Sequence, residues 1–337
     1  MTRYEKKLVL ELEAPNGITF EVLNEKDGKV IIKANVDNSS FCVQNCSKQT
    51  HLLPKETAIQ HIVDTSLKGN YANPPIPSGY IYIHGSWKDG FVIERESDES
   101  QFVWIPVGFL DPNGTLDNGV SFNSKFGRRR YHDENREIFS RKYFYEPLTE
   151  ELQMQIKSVE KYGGFYISRY NISMSKYGNP QSKRCEIPLE CTRDKILQLA
   201  SSFENTDTIK SHLTYGSEYD SVLEWLMKSR KKSYDSIVID STSWGNYFHE
   251  EQQNDCIKPQ LTGISDAWCV NNLYDFAGNV TDLTQEEFEF SKARVRRGGN
   301  YKDSGKTFAA ATRRVSKKYY FPKTDKNGFH IVLYLKP

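Results

Sequence analysis

Apolar and polar residues alternate along the start of the chain: Leu8, Leu10 and Leu12, then Ile18, Phe20 and Val22, then Val30, Ile32 and Ala34. A period of two is the mark of strands with one buried face. Pro15-Asn16-Gly17 and Asp27-Gly28 punctuate the runs, so the pattern predicts a small antiparallel meander over residues 5–36. From Pro54 the period changes. Ala58, Ile59, Ile62, Val63 and Leu67 fall at helical spacing, with Pro near the first turn and Gly69 at the stop, which predicts one short amphipathic helix. Asn73-Pro-Pro-Ile-Pro77 reads as extended, because each proline biases its predecessor away from the helical region. A boundary placed there gives a β-rich module over 1–74 and a larger domain over 75–337.

In the larger part, Tyr80–His84, Phe91–Ile93 and Gln101–Val107 read as strands, and Leu148–Lys161 as a helix ending at Gly163-Gly164. Gly164–Ser173 follows as a strand. Asp194–Phe203 places Ile196, Leu197, Ala200 and Phe203 on one face, with Thr192 as its expected cap. Leu213–Leu226 reads as a helix opened by Thr214, with Val222, Trp225 and Leu226 inward. Near the C-terminus three strand-like runs are expected, over 272–282, 294–301 and 327–333. Gly298-Gly299 and Gly328 in them supply positive φ or close backbone approach.

The chain has 337 residues, enough for one large or two smaller domains, and 13% of them are aromatic, so much of the burial must come from Tyr and Phe. A formal charge of +1 gives no global field for nucleic acid or an anionic membrane, and the reading is of a chain that binds no nucleic acid. No apolar run approaches the roughly 20 residues of a spanning helix, and no leader-like apolar stretch opens the sequence, so a protein made in the cytoplasm without membrane insertion is expected. The six cysteines fall as Cys42/Cys46, Cys185/Cys191 and Cys256/Cys269. Without a leader, reduced structural thiols are the expectation, against local bridges as the alternative.

Three segments near the end carry a resemblance: Asn272-Leu-Tyr-Asp-Phe-Ala-Gly-Asn-Val-Thr-Asp282, Arg294-Val-Arg-Arg-Gly-Gly-Asn-Tyr301 and Asn327-Gly-Phe-His-Ile-Val-Leu333. In this order they resemble the formylglycine-generating, or sulfatase-modifying-factor, family, which implies an α+β fold of the C-type-lectin-like type. Phe165–Ser173 and Leu213–Leu226 are similar to earlier segments of that family, and the likeness covers roughly 101–335. The family's oxidases place two active-site cysteines just after the Gly-Gly turn. Here the window Tyr301–Thr312 holds none. Since a thiolate is needed to bind Cu(I) and to exchange disulfides, the scaffold is retained without that chemistry, and function has to be argued from this site.

The resemblance also implies a calcium site at Gly278-Asn-Val-Thr-Asp282, where Asn279 and Asp282 would supply oxygens to Ca²⁺. The alternative is a turn in which both side chains cap their own backbone. Asp275 is expected to bond a buried amide or an arginine such as Arg297 or Arg313. His330 reads as a packing or surface residue without a paired base, and Cys256 and Cys269 are the best remaining thiol candidates. Arg128-Arg-Arg130, near Tyr131, Tyr143, Phe144 and Tyr145, could hold phosphate or an acidic glycan, or form a solvated loop face.

Asn300, Tyr301, Lys302 and Asp303, with Tyr319, Tyr320 and Phe321, have the composition of a binding surface: aromatic area with few rotors beside polar groups. The leading reading is a non-catalytic ligand- or receptor-binding protein whose partner is a cell-surface glycan or protein receptor. The N-terminal module would attach or oligomerise it, as in a phage-tail or other particle-associated component. Some phage and host members of the resembled fold vary this C-terminal region to bind receptors, which the likeness extends to this chain as an expectation. The alternatives are an oxygen-dependent modifying enzyme with a relocated site and a structural particle subunit.

Overall fold

The computed structural model describes residues 18–26, 29–36, 73–109, 123–124, 126–129, 131, 144–248, 258–290, 293–315 and 327–337. The chain divides into two compact units, Met1–His51 and Leu52–Pro337. In the first, β1 (Ile18–Lys26) and β2 (Lys29–Val36) form an antiparallel hairpin whose register shifts between Val22 and Asn24. These are the second and third runs of the expected meander. The first run and the expected helix over 54–69 lie outside the described residues.

The larger unit is mixed α+β with antiparallel ladders. Its chain order is β3 (Tyr80–His84), β4 (Val92–Arg95), β5 (Gln101–Pro106), β6 (Gly108–Phe109), β7 (Asn123–Ser124), β8 (Phe144–Tyr145), α1 (Glu150–Tyr162), β9 (Gly164–Ser168), β10 (Ser173–Met174) and β11 (Pro180–Gln181). It continues through α2 (Arg193–Ser202), β12 (Ile209–Leu213), α3 (Gly216–Lys228), α4 (Tyr234–Val238), β13 (Asp282–Phe288), β14 (Arg294–Arg297), β15 (Arg313–Val315) and β16 (Ile331–Leu335). The main sheet has six strands in the order β12-β16-β9-β5-β4-β3. A second sheet has the order β15-β14-β13-β8.

The main sheet is covered on both faces, which explains why β5 reads as an unbroken apolar run. Phe102 and Trp104 pack with Tyr166, Leu333 and the α2 residues Ile196 and Leu199. Val103 and Ile105 face the other way, onto Phe165, Ile167 and the α3 residues Val222, Trp225 and Leu226. Successive residues of one strand thus belong to two cores.

The helices start where short-range chemistry allows. In α1 the Thr149 hydroxyl accepts the Leu152 N–H at 3.1 Å, and Gly163 closes the helix at φ 74°. The expected start of α3 at Thr214 is corrected. Thr214 donates instead to the His330 carbonyl at 2.9 Å, and Tyr215 is the cap, its N–H held by Glu218 at 2.7 Å. The stretch expected as a strand over 272–282 is mostly turns. Asn272, Asp275 and Asn279 take left-handed φ values of 62°, 56° and 54°, so extended backbone resumes only at Asp282. Among the described residues no helix is long and apolar enough to cross a membrane.

Candidate functional site

The closing loops stand on a glycine turn. Gly298 and Gly299 adopt φ of 82° and 67°, and a Cβ on Gly299 would lie 2.5 Å from the Phe308 carbonyl. The turn is fixed from below: Tyr247 Oη donates to the Gly298 carbonyl at 2.7 Å, and the Gly278 N–H does so at 2.8 Å. The loop that follows is tied to itself. Asp303 accepts the Asn300 N–H at 2.9 Å, and Asn300 Oδ1 accepts the Lys302 N–H at 2.8 Å.

Arg314 on β15 locks this loop to the sheet. Its guanidinium meets Asp303 at 2.7 and 3.1 Å, donates to Thr281 Oγ1 at 2.8 Å and lies 4.6 Å from the Phe308 ring centre. Asn300 Nδ2 reaches the same Thr281 hydroxyl at 3.1 Å. Two of the expected ligand-facing residues, Asn300 and Asp303, are therefore occupied as fasteners. Tyr301 remains half-buried and Lys302 exposed, its ammonium 5.1 Å from the Tyr301 ring centre. Tyr319, Tyr320 and Phe321 lie outside the described residues.

A cavity of about 420 Å³ flanks the loop, lined by Asp235, Ser236, Ile239, Asp240, Thr242 and Ser243. The two meet where Gly305 accepts the Ser241 N–H at 3.1 Å and presses so close to Thr242 that a Cβ there would lie 2.5 Å from the Thr242 nitrogen. The carboxylates and hydroxyls of this recess make a surface for a polar, hydroxyl-bearing partner.

The two expected calcium ligands have other duties. Asn279 Oδ1 accepts the Gln260 N–H at 2.8 Å and Asn246 Nδ2 at 3.2 Å, so it braces the turn. Asp282 is buried and faces His330 Nδ1 at 2.9 and 3.0 Å and Asn171 Nδ2 at 3.1 Å. Oxygens already taken by N–H donors do not fit an ion that wants about six to eight free ones. His330, expected to stand without a partner, is thus half of a buried pair with Asp282. Asp275 lies in the same polar pocket. Its Oδ2 accepts the Gly263 N–H at 2.8 Å, while Oδ1 finds no donor among the described residues, and burial pushes its carboxyl up to about 7.

Arg297 and Arg313 are drawn away from Asp275 by stronger partners. Arg297 donates to Glu286 at 2.7 Å and to Asp220 on α3 at 2.6 Å, and Arg313 meets the same two carboxylates. Arg128, expected on a solvated or phosphate-binding loop, turns inward to Glu286 at 2.8 Å and to the Phe144 carbonyl at 2.9 Å. Arg129 pairs with Glu224, and its N–H meets Asp220 at 2.7 Å; Arg130 lies outside the described residues. Burial alone would raise the Glu286 carboxyl, but Arg313, Arg297 and Arg128 together hold it down at about 2.

The thiols divide. Cys185 is in a disulfide, which corrects the expectation of reduced thiols throughout, while Cys191 and Cys269 are free. Cys191 and Cys185 therefore do not bridge each other. Burial pushes the Cys191 thiol up to about 11 and raises that of Cys269, so both stay protonated near neutral pH. Cys256 lies outside the described residues. Among the described residues no group of three or more His, Cys, Asp or Glu side chains is placed to hold a metal ion. No protein-family model matches the chain, and no curated protein is significantly similar to it.

The signal for the pairs missed in the sequence was present but unlocated. Buried charges need partners, yet Arg128 and Glu286 are 158 positions apart, and nothing local selects one for the other.

Proposed function

We propose that the chain is a non-catalytic binding protein that presents a receptor-binding face from its closing loops. One observation carries this reading: the loop over 300–303 turns its polar groups inward onto Arg314 and Thr281, leaving Lys302 exposed and Tyr301 half-buried, and the chain then runs through Gly305 to the edge of a recess of about 420 Å³. A rigid support with a few adaptable side chains lowers the ordering cost of binding. The free thiols Cys191 and Cys269 sit where burial suppresses thiolate formation, which favours binding over thiol oxidation.

In this reading the larger unit is a relative of the formylglycine-generating family in its C-type-lectin-like form, an assignment supported by the three ordered motifs and the antiparallel α+β body. The N-terminal module attaches or oligomerises it, as in a phage tail or similar particle, and the partner is a cell-surface glycan or protein receptor. The test is a glycan and cell-surface binding screen of the full chain against Tyr301→Ala, Lys302→Ala and Tyr320→Ala. Loss of binding in the variants with unchanged thermal unfolding is expected. Equal binding by all three would overturn the reading, as would conversion of a Cys-x-Pro-x-Arg peptide with oxygen consumption in the presence of Cu(I).

A further inference from the structure

A second recess, of about 360 Å³, is built from different residues. Its walls include Asp89, Lys231, Lys232, Cys269, Asn271 and Asn272. After α3 the chain reverses through Arg230 at φ 58°, and the N–H groups of Lys231 and Lys232 both bond the Leu226 carbonyl at 3.1 Å. Two consecutive lysines therefore leave a fixed backbone at the end of a helix. Lys231 lies 3.6 Å from Asp89 Oδ1. Lys232 is half-buried, sits 4.9 Å from the centre of the Trp244 ring and has no carboxylate partner among the described residues.

The facing wall is strained and tightly held. Asn271 and Asn272 take φ of 49° and 62°, a left-handed pair that non-glycine residues adopt at a cost. Val270 and Leu273 exchange backbone hydrogen bonds around them, and Asn272 Nδ2 donates to the Gly90 carbonyl at 2.7 Å. Gly90 is required there, because a Cβ would lie 2.0 Å from the Asn271 carbonyl. Asn271 is only 8% exposed, and its Nδ2 donates to Ser229 Oγ at 3.0 Å. Its Oδ1 has no donor among the described residues. A buried acceptor without a donor is costly, so a group that brings one would complete this wall.

We propose that this recess binds a small acidic sugar. The ligand's carboxylate lies between the Lys231 and Lys232 ammoniums, one hydroxyl donates to Asn271 Oδ1, and another reaches the Asp89 carboxylate. A bare anion satisfies the lysines alone. A neutral sugar satisfies only the acceptors. The volume suits a single sugar ring and lies near the lower end for small-molecule sites. The site stands on its own residues, so its failure leaves the closing-loop face untouched.

The test is calorimetric titration of the full chain with D-glucuronate, D-glucose and inorganic phosphate. Glucuronate is expected to bind, with glucose at least about tenfold weaker. Lys231→Gln combined with Lys232→Gln should weaken glucuronate by about tenfold or more, and added salt should weaken it in the native chain. Asn271→Gly keeps the left-handed backbone and removes the whole carboxamide, its bond to Ser229 included, so it should weaken glucuronate about three- to tenfold. The proposal fails if glucuronate does not bind at about 10 mM, or if glucose binds as well. It fails equally if the double lysine variant binds glucuronate undiminished, or if phosphate matches glucuronate and Asn271→Gly changes neither, which would leave a plain anion patch.

Discussion

Arg313 and Arg314 are neighbours on one short strand, and their fates diverge completely. Arg313 points inward, where it shares Asp220 and Glu286 with Arg297 in a cluster closed to solvent. Arg314 points the other way and fastens Asp303 and Thr281 at the edge of the exposed loop. The pleat alone sends successive side chains to opposite faces. What differs is the dielectric each charge meets. In the interior an unmatched charge is intolerable, so the network there is all or nothing; at the rim, water covers for a missing partner.

The largest effect should come from breaking the inner network. Arg297→Ala leaves Asp220 and Glu286 short of a cation, and a loss of about 3–5 kcal/mol in urea unfolding is expected. If instead it costs no more than Arg314→Ala, the contrast between core and rim collapses.

Titration probes the same contrast. Glu286 is held at about 2, below its unfolded value, so it contributes stability above pH 4.5 that is lost as pH falls toward 2. Asp275 has the opposite sign. Its folded carboxyl titrates near 7 and its unfolded one near 3.8, so the folded state is favoured at low pH and loses stability as pH rises from about 4 to 7. Glu146, raised to about 7 by burial and by the charge of Glu286, acts in the same direction. The ceiling for Asp275 is about 4 kcal/mol. Asp275→Asn should flatten the decline between pH 4 and 7 in thermal unfolding; an unchanged slope would show that this carboxyl ionises normally.

Smaller effects belong to the rim. Arg314→Ala should cost less, about 1–3 kcal/mol in the same unfolding measurement, because its pair with Asp303 keeps some contact with solvent. Tyr301→Ala and Lys302→Ala should change stability by no more than about 0.5 kcal/mol while reducing receptor binding. A large destabilisation by either would mean that they pack rather than recognise.

The elements legible in the sequence were those set by neighbours in the chain. The helix expected over Leu148–Lys161 is α1 (Glu150–Tyr162), closed by Gly163, and the strand expected over Gln101–Val107 is β5 (Gln101–Pro106). The candidate site was only half legible. Lys302 is exposed and Tyr301 half-buried, while Asn300 and Asp303 are occupied internally. Nothing in the order of residues distinguishes a polar group offered to a partner from one used to hold its own loop.

By itself, then, the sequence determined where strands alternate and where Gly298 and Gly299 let the backbone turn, because those choices are made over a few residues of contact. Only the tertiary structure decided that His330 meets Asp282, that Arg128 folds inward to Glu286 and that Arg297 serves two carboxylates. A charge finds its partner through space and through the loss of water around it, and neither quantity is written in local periodicity.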